Sequence, residues 1–421
     1  MKKLAFFGGE PVRTTPFPTN MIGASMIGQE ELDQLADVVR EKSPFRHYGV
    51  GNPQKTNNLE KEFTERFGVK YALAVSSGTA ALLCAAAAAN LGPGDEVIIP
   101  GFSWYSDYCA LVTLGATPVF ADIGEDLNLD PDSFESKITD KTKAVIVVHY
   151  QECPAKMNRI MEIARAHNLI VIEDCAQACG GSCRGKMLGT FGDIAMFSFQ
   201  THKIITCGEG GMVITNNEKM FVRAVRYHDL GFVRKAFADR LSDPSLSDEK
   251  LSFAGIQLRM NELSSAFLLA QLHKLDDMLK TCRKWHKTLR EHTAAWKEVS
   301  VRFEEGDCGI AFVMMFPSKE YSEKFIKYMI AEGIPCQLTS ACCNLMHKYP
   351  ITSRALVHDM LPPFGPFFEG KDIVYDVNTD CPNTDGILER CAGIGIGPTY
   401  TQQEITDIIS SMDKVYPQGK S

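Results

Sequence analysis

The sequence predicts an α/β fold with two units. Residues 1–260 read as a large unit on a mainly parallel sheet, and residues 261–421 as a smaller α+β unit entered by a long helix. Three observations carry this. Between Tyr71 and Thr215 short continuous apolar runs recur, as strands buried on both faces require. Helical stretches lie between several of them, the pattern of parallel crossovers. After Gly255 the spacing of apolar residues changes from strand-like to helical.

Seven runs read as strands: Tyr71–Ser76, Glu96–Pro100, Thr117–Ala121, Ala144–His149, Leu169–Glu173, Ile194–Phe199 and Gly211–Thr215. The intervening helices are the alanine-rich Thr79–Asn90, Trp104–Leu114 and Met157–His167. Leu91-Gly92-Pro93-Gly94-Asp95 is a turn, because glycine and proline break both regular structures there. Asn261–Val299 has apolar residues at helical spacing and is the long helix. In the smaller unit Val299–Phe303 and Gly309–Phe316 are strand-like, and Tyr321–Glu332 is helical. Thr401-Gln402-Gln403-Glu404 forms a capping box that opens a last helix running to about Tyr416. Ala238–Lys250 and Tyr349–Thr384 are polar or rich in proline and glycine and read as loops.

The chain has 421 residues, enough for two domains with sizeable cores. Its 45% hydrophobic and 23% charged residues suit a soluble globular protein. A net charge of −8 without a basic block disfavours nucleic acid and anionic membranes as partners. No stretch approaches the roughly 18 uncharged apolar residues of a membrane span. The apolar run at the start stops at Gly8, too short for a signal peptide core, so the expectation is a cytoplasmic protein. The 14 cysteines form no C-x-x-C pair and read as free thiols. Cys175, Cys179 and Cys183 are four apart, but Gly180 and Gly181 interrupt any helix that would align them as metal ligands.

Three motifs carry chemistry. Ser76-Ser77-Gly78-Thr79 lies where the first strand turns into the alanine-rich helix. Amides and hydroxyls at a helix start either bind a phosphate or simply cap the helix, and both readings stand. Asp174 closes the fifth strand, where open α/β sheets bind ligands, although an acid there also serves as a cap or ion pair. Lys203 follows the sixth strand by a few residues, in Ser198-Phe199-Gln200-Thr201-His202-Lys203, ahead of the glycine-rich Gly208–Gly211. A lone lysine reads as a surface charge. What sets this one apart is the order of phosphate loop, acid and lysine, each at the end of a predicted strand. A pyridoxal phosphate (PLP) enzyme needs those parts: an amine for a Schiff base, an acid for the ring nitrogen and a seat for the phosphate.

The chain resembles the DegT/DnrJ/EryC1/StrS family of PLP-dependent aminotransferases, from about Gly8 to Val415. The motifs that carry the likeness are Ser76–Leu82, Gly92–Pro100, Val171–Ala178, Phe197–Thr215 and Gly255–Leu275. The resemblance implies the type I, aspartate aminotransferase-like fold. It also implies roles. Lys203 matches the Schiff-base lysine and Asp174 the partner of the ring nitrogen. Gln177 flanks the ring, Trp104 stacks on it, and Gly78, Thr79 and Ser198 contact the phosphate. Members share active sites across a homodimer, and a residue from the partner subunit reaches the phosphate from a segment that usually reads Gly-x-Asn-x-Arg. Here it reads Gly255-Ile256-Gln257-Leu258-Arg259, which places Gln257 at that contact.

Within the family the chain is most similar to a branch of inosose aminotransferases and 3-amino-5-hydroxybenzoate synthases. That similarity implies transfer of an amino group from L-glutamine or L-glutamate to a keto-cyclitol or keto-sugar, and no metal. Glu152 and Lys156 depart from the pattern, which usually has glycine and then aspartate after the strand ending at His149. Family dehydratases have histidine at the lysine position, where this chain has Lys203. Two other readings keep the cofactor: elimination chemistry on a different substrate, and a sensory protein that binds PLP without turnover. Cys336, Cys342 and Cys343 do not match an iron–sulfur pattern and read as structural. The loops Arg46–Lys55, Tyr150–Lys156 and Leu338–Lys348 are expected to supply the substrate pocket, with Arg46, His47, Tyr48 and His347 as polar or aromatic candidates.

Overall fold

A computed structural model describes residues 3–337, 343–347 and 375–419. Seven strands form the main sheet in the order β1-β9-β8-β5-β4-β2-β3. They are β1 (Tyr71–Val75), β2 (Glu96–Pro100), β3 (Thr117–Ala121), β4 (Thr142–Val148), β5 (Ile170–Asp174), β8 (Ile194–Ser198) and β9 (Gly211–Thr215). Only β9 runs against the others, being antiparallel to both β1 and β8. The C-terminal ends of β1, β5 and β8 therefore open on one edge. The short hairpin β6 (Ser182–Cys183) and β7 (Lys186–Met187) was not anticipated, because two-residue strands carry no periodicity.

Side chains of the central strands alternate between two cores, as the pleat dictates. Leu73, Val75, Val97, Ile99, Ile146 and Val148 face one side, covered by helices Gly78–Ala88, Tyr105–Thr113 and Glu218–His228. The alanines of Gly78–Ala88 follow from its place: it lies between the sheet and helix Glu218–His228, and small side chains permit that close approach. On the opposite side, Val145, Val147 and Val171 pack with helix Met157–Ala166. Ala72, Ala74, Phe197 and Met212 pack with helices Lys55–Phe67 and Glu262–Thr293.

The long helix starts one residue after Asn261, whose side chain accepts from the Ser264 amide at 2.8 Å. It runs to Thr293 and leads to a second antiparallel sheet, β10 (Ser300–Val301), β11 (Ala311–Met315) and β12 (Cys391–Gly395). Helices Lys319–Ala331 and Gln402–Gly419 pack together beside it. Half of the expected capping box is formed, the Thr401 amide donating to Glu404 at 2.9 Å, while the Thr401 hydroxyl oxygen caps the helix by accepting from the Gln403 amide at 3.2 Å, one residue earlier than in the full box.

The sequence reading had no element for helices Gln29–Arg40, Glu218–His228 and Lys55–Phe67, or for β12. The expected loop Ala238–Lys250 holds the short 3₁₀ turn Pro244–Ser247 and part of Glu249–Leu251. Most of Tyr349–Thr384 lies outside the described residues. Among the described residues no helix is long and apolar enough to cross a membrane.

Candidate active site

The sheet edge gathers the three predicted motifs. β1 ends at Val75, and Ser77 caps the helix Gly78–Ala88 by accepting from the Ala80 amide at 3.1 Å. The cap reading is thus correct for Ser77, while Thr79 is exposed and shares a 2.7 Å hydrogen bond with Ser106. Gly78 is required by packing: a Cβ there would lie 2.6 Å from the Ser198 Cβ. Gly211 is required too, because a Cβ would meet the Ser77 carbonyl oxygen at 2.2 Å. The helix N-terminus is in this way pressed directly onto the end of β8, beside Ser198.

Lys203 sits in a loop closed by its own backbone. Phe199 donates to the Gly210 carbonyl at 2.9 Å, Thr201 to Gly208 at 3.1 Å and Cys207 to Phe199 at 3.0 Å. The Thr206 hydroxyl donates to the Phe199 carbonyl at 2.9 Å, and Gly208 takes a φ of +83° to complete the turn. The N-terminal segment packs on top, with the Gly23 amide donating to the Lys203 carbonyl at 3.3 Å. Burial lowers the Lys203 pKa from the usual lysine value, partly opposed by Asp174 and then by Cys343 and Asp107. A larger share of neutral amine is what a nucleophilic lysine needs.

Asp174 is 5% exposed, and its Oδ1 accepts from the Ala176 amide at 2.7 Å. Behind it His149 and Glu173 form a buried pair at 3.1 Å. The His149 Nδ1 accepts from the Ala155 amide at 3.1 Å, so Nε2 carries the proton and donates to Glu173. Glu173 also accepts from the amides of Gly189, Phe191 and Gly192 at 2.6–2.9 Å. Together with Cys175 these two form the one close His/Cys/acid trio among the described residues. Its donor atoms already hold the 189–192 loop, so its role is to brace the site. Cys179 is buried and Cys183 lies on β6, and neither joins that trio.

Gln177 accepts from the Gln151 amide at 2.9 Å, which ties the loop after β4 to the site. That loop is unusual. Gln151 and Glu152 have φ of +43° and +59°, a region that costs non-glycine residues about 1–2 kcal/mol each. Arg302 holds it by donating to the Tyr150 and Gln151 carbonyls, both at 3.0 Å. Glu152 is 1% exposed and neither carboxyl oxygen has a well-formed hydrogen bond. Burial first and Asp307 second push its pKa well above the usual range, against Arg302. Lys156 is exposed and lies over Asp126 instead.

A cavity of about 330 Å³ opens in front of Lys203. Carboxamides dominate its polar lining, from Asn20, Gln151, Gln177 and Gln337, with Glu152 and His202 beside them. Trp104, just ahead of helix Tyr105–Thr113, is 49% exposed, with its ring 4.8 Å from that of Tyr105.

Several expected pocket residues are used elsewhere. Arg46 is buried in an ion pair with Glu60 at 2.6 Å, a structural contact. His47 faces Asp229, and burial lowers its pKa to about 4. His347 pairs with Asp385 at 2.7 Å, and Tyr48 is 73% exposed. Cys336 and Cys343 are buried, and Cys342 lies outside the described residues. Gln257 is exposed, on a segment whose Leu258 carbonyl accepts from the Ser76 amide at 2.8 Å. Sequence reasoning missed Asp107, a wholly buried acid next to Asp174; its only signal was an acid in an otherwise apolar helix start. It also missed Arg302, which approaches from the far end of the chain.

These residues fit PLP. The site offers a depressed amine, a carboxylate with one oxygen left for a donor, a helix N-terminus flanked by hydroxyls, and an exposed indole. The pattern of the DegT/DnrJ/EryC1/StrS aminotransferase family matches residues 26–361. A protein of Micromonospora echinospora, assigned as an L-glutamine:3-amino-2,3-dideoxy-scyllo-inosose aminotransferase, is 37% identical over 284 residues, 66% of this chain and 63% of its own length. GDP-perosamine synthase of Escherichia coli O157:H7 is 40% identical over 229 residues, 54% of this chain and 59% of its own. The chain thus spans about six-tenths of the length of these curated relatives. The X-ray structure of an aminotransferase from Psychrobacter cryohalolentis is similar with a TM-score of 0.80 at 29% identity, covering 97% of this chain and all of that one. 3-Amino-5-hydroxybenzoic acid synthase shares the fold at a TM-score of 0.76 and 24% identity, with 97% of this chain and 100% of that chain covered. With its site geometry and a pattern match across most of its length, the chain belongs to the DegT/DnrJ/EryC1/StrS aminotransferase family.

Proposed function

We propose that this chain is a PLP-dependent aminotransferase that moves an amino group from L-glutamine or L-glutamate to a keto-cyclitol or keto-sugar in a biosynthetic route. The observation that carries the reading is the meeting of Lys203, Asp174 and the N-terminus of Gly78–Ala88 on one sheet edge before a polar cavity. The names of the two curated relatives favour the same donor and acceptor classes.

In this reading Asp174 faces the ring nitrogen and stabilises its positive charge. Trp104 covers one face of the ring and Gln177 flanks it. Gly78, Thr79 and Ser198, at the helix N-terminus, hold the phosphate. Bound there, the cofactor supplies a carbonyl that bonds reversibly to amines and a ring that accepts electron density from the substrate carbon. The Lys203 amine would hold the cofactor and, as a free amine, would take a proton from the substrate carbon and return it. The carboxamides of Asn20, Gln151 and Gln337 orient a hydroxylated acceptor.

Residues 1–260 act as the cofactor unit and 261–421 as the smaller unit. The enzyme works as a cytoplasmic homodimer in which Gln257 of the partner subunit reaches the phosphate. Exposed Tyr48, Val50, Phe232 and Ile256 are apolar surface that a partner could cover, and the 13 cysteines among the described residues, all free, suit a reducing compartment.

The test is a half-reaction. Purified protein loaded with PLP is mixed with L-glutamine or L-glutamate, and absorbance and 2-oxo acid are followed. Bleaching with stoichiometric 2-oxo acid, then recovery on adding a keto-cyclitol or keto-sugar, is the expected result. Absence of any half-reaction with either donor would overturn it in favour of elimination chemistry or binding without turnover.

A further inference from the structure

Asp107 lies in the first turn of helix Tyr105–Thr113 and is completely buried. An acid at that position usually faces water and favours the helix N-terminus. This one turns inward. Its Oδ2 takes the hydroxyl of Ser103, and its Oδ1 is buried without a partner of standard geometry. The charged neighbours that act on it are Asp174 from the end of β5 and Lys203 from the loop after β8. Cys109, on its own helix, also feels it. No arginine is among these groups.

Two carboxylates in one buried site do not both ionise, because like charges at short range in low dielectric repel strongly. Burial is the larger influence on Asp107 and Asp174 the next, and both hold its proton on well above the usual carboxylate range. Asp107 is also the more deeply buried of the two, at 0% against 5%. A neutral Asp107 has one O–H to give. Ser103 already serves Oδ2, and the side chain within hydrogen-bond reach of Asp107 besides Ser103 is that of Asp174, whose own Oδ1 is taken by the Ala176 amide.

We infer that Asp107 is a positioning residue of the cofactor site, a neutral carboxyl that donates a hydrogen bond to Asp174 and fixes that carboxylate for the ring nitrogen. The inference rests on the cofactor role proposed above for Asp174. Two donors, the Ala176 amide and the Asp107 hydroxyl, then orient Asp174 from two sides. Without the Asp107 donor, Asp174 is held by the Ala176 amide alone and its carboxylate is free to turn away from the place where the ring nitrogen would sit.

The experiment compares wild type, Asp107→Asn and Asp107→Ala. Infrared spectra of the proteins without cofactor report the carbonyl stretch of a protonated carboxylic acid. Glu152 contributes to this band in all three proteins, and an additional component is expected in wild type that both variants lose. PLP is then added, its dissociation constant measured, and the absorbance of the lysine-bound cofactor titrated with pH. Asparagine keeps a donor at the same place, so Asp107→Asn should titrate within about 0.3 pH unit of wild type. Asp107→Ala should bind PLP roughly tenfold more weakly and shift the titration by about one unit.

Equal shifts in both variants, or none in either, would overturn the inference, as would a protonated-acid band that loses no intensity in either variant. If Asp107→Ala fails to fold, the infrared band and the Asp107→Asn titration still decide. If wild type forms no lysine-bound cofactor, the functional reading fails instead, and the band alone judges whether Asp107 is neutral.

Discussion

Two loops at the same sheet edge are built on opposite principles. The loop after β8, from Ser198 to Gly211, satisfies its polar backbone internally and uses glycine where φ is positive. The loop after β4, from His149 to Cys153, places Gln151 and Glu152 in the left-handed region and leaves a buried carboxyl poorly bonded. The first loop must hold one amine in one position, and a relaxed closed turn does that. The second forms a wall of the cavity, where strain persists only because Arg302, Gln177 and Asn128 hold it from three sides. Under the proposed function, the contrast separates what a cofactor requires, which is common chemistry, from what a substrate requires, which is particular to the chain.

Breaking the first loop should give the largest effect. Lys203→Ala is expected to abolish the visible absorbance of lysine-bound PLP and cut turnover by at least about 10⁴-fold, with the fold intact. A purified variant that keeps the absorbance band would contradict the lysine's assignment.

Breaking the second loop at its clamp should act on stability. Arg302→Met removes the buried donors to the Tyr150 and Gln151 carbonyls, and a loss of about 2–3 kcal/mol is expected. Urea unfolding reads it, and an unchanged midpoint would mean that the loop holds itself.

A subtler probe of the same loop is Glu152→Gln. The unfolded glutamate loses its proton near its usual value of 4.5, whereas the folded one keeps it to higher pH. Over that window the native state binds more protons, so wild-type stability falls as pH rises from 4.5 and levels once the folded group ionises. Glutamine lacks this slope. Relative to wild type, the variant should therefore gain stability with pH across the window, seen in urea midpoints at stepped pH. Parallel curves would show that Glu152 is not held protonated.

The smallest effect is expected at the phosphate end. Ser77→Ala removes the cap on Gly78–Ala88 and should cost about 1 kcal/mol in thermal or urea unfolding, because the helix is otherwise buried and well packed. A loss far beyond this would mean that Ser77 does more than cap.

Much of the large unit was legible before the structure. The seven main strands lie within about two residues of their predicted ends, because strands buried on both faces are continuous apolar runs. Helices Gln29–Arg40 and Lys55–Phe67 were not legible, since each is polar on most of its surface and settles by packing on Glu262–Thr293. Lys203, Asp174 and the Ser77–Thr79 turn could be read because each follows a strand end in chain order. Asp107 and Arg302 could not. Their importance comes from neighbours far away in sequence, and nothing local marks a carboxyl that will meet Asp174 or a guanidinium that will cap Tyr150.

The sequence by itself determined the parallel sheet, the family and the order of helix start, acid and lysine at the strand ends, because these depend on local periodicity and on motifs tied to strand ends. The tertiary structure alone decided which charges are buried and what they face. It turned Arg46 into a structural ion pair, His149 into a brace, Glu152 into an unpaired wall of the cavity and Asp107 into a neighbour of Asp174. Burial and electrostatics are properties of the assembled chain: desolvation depends on every element packed around a group, and no short stretch of sequence contains that information.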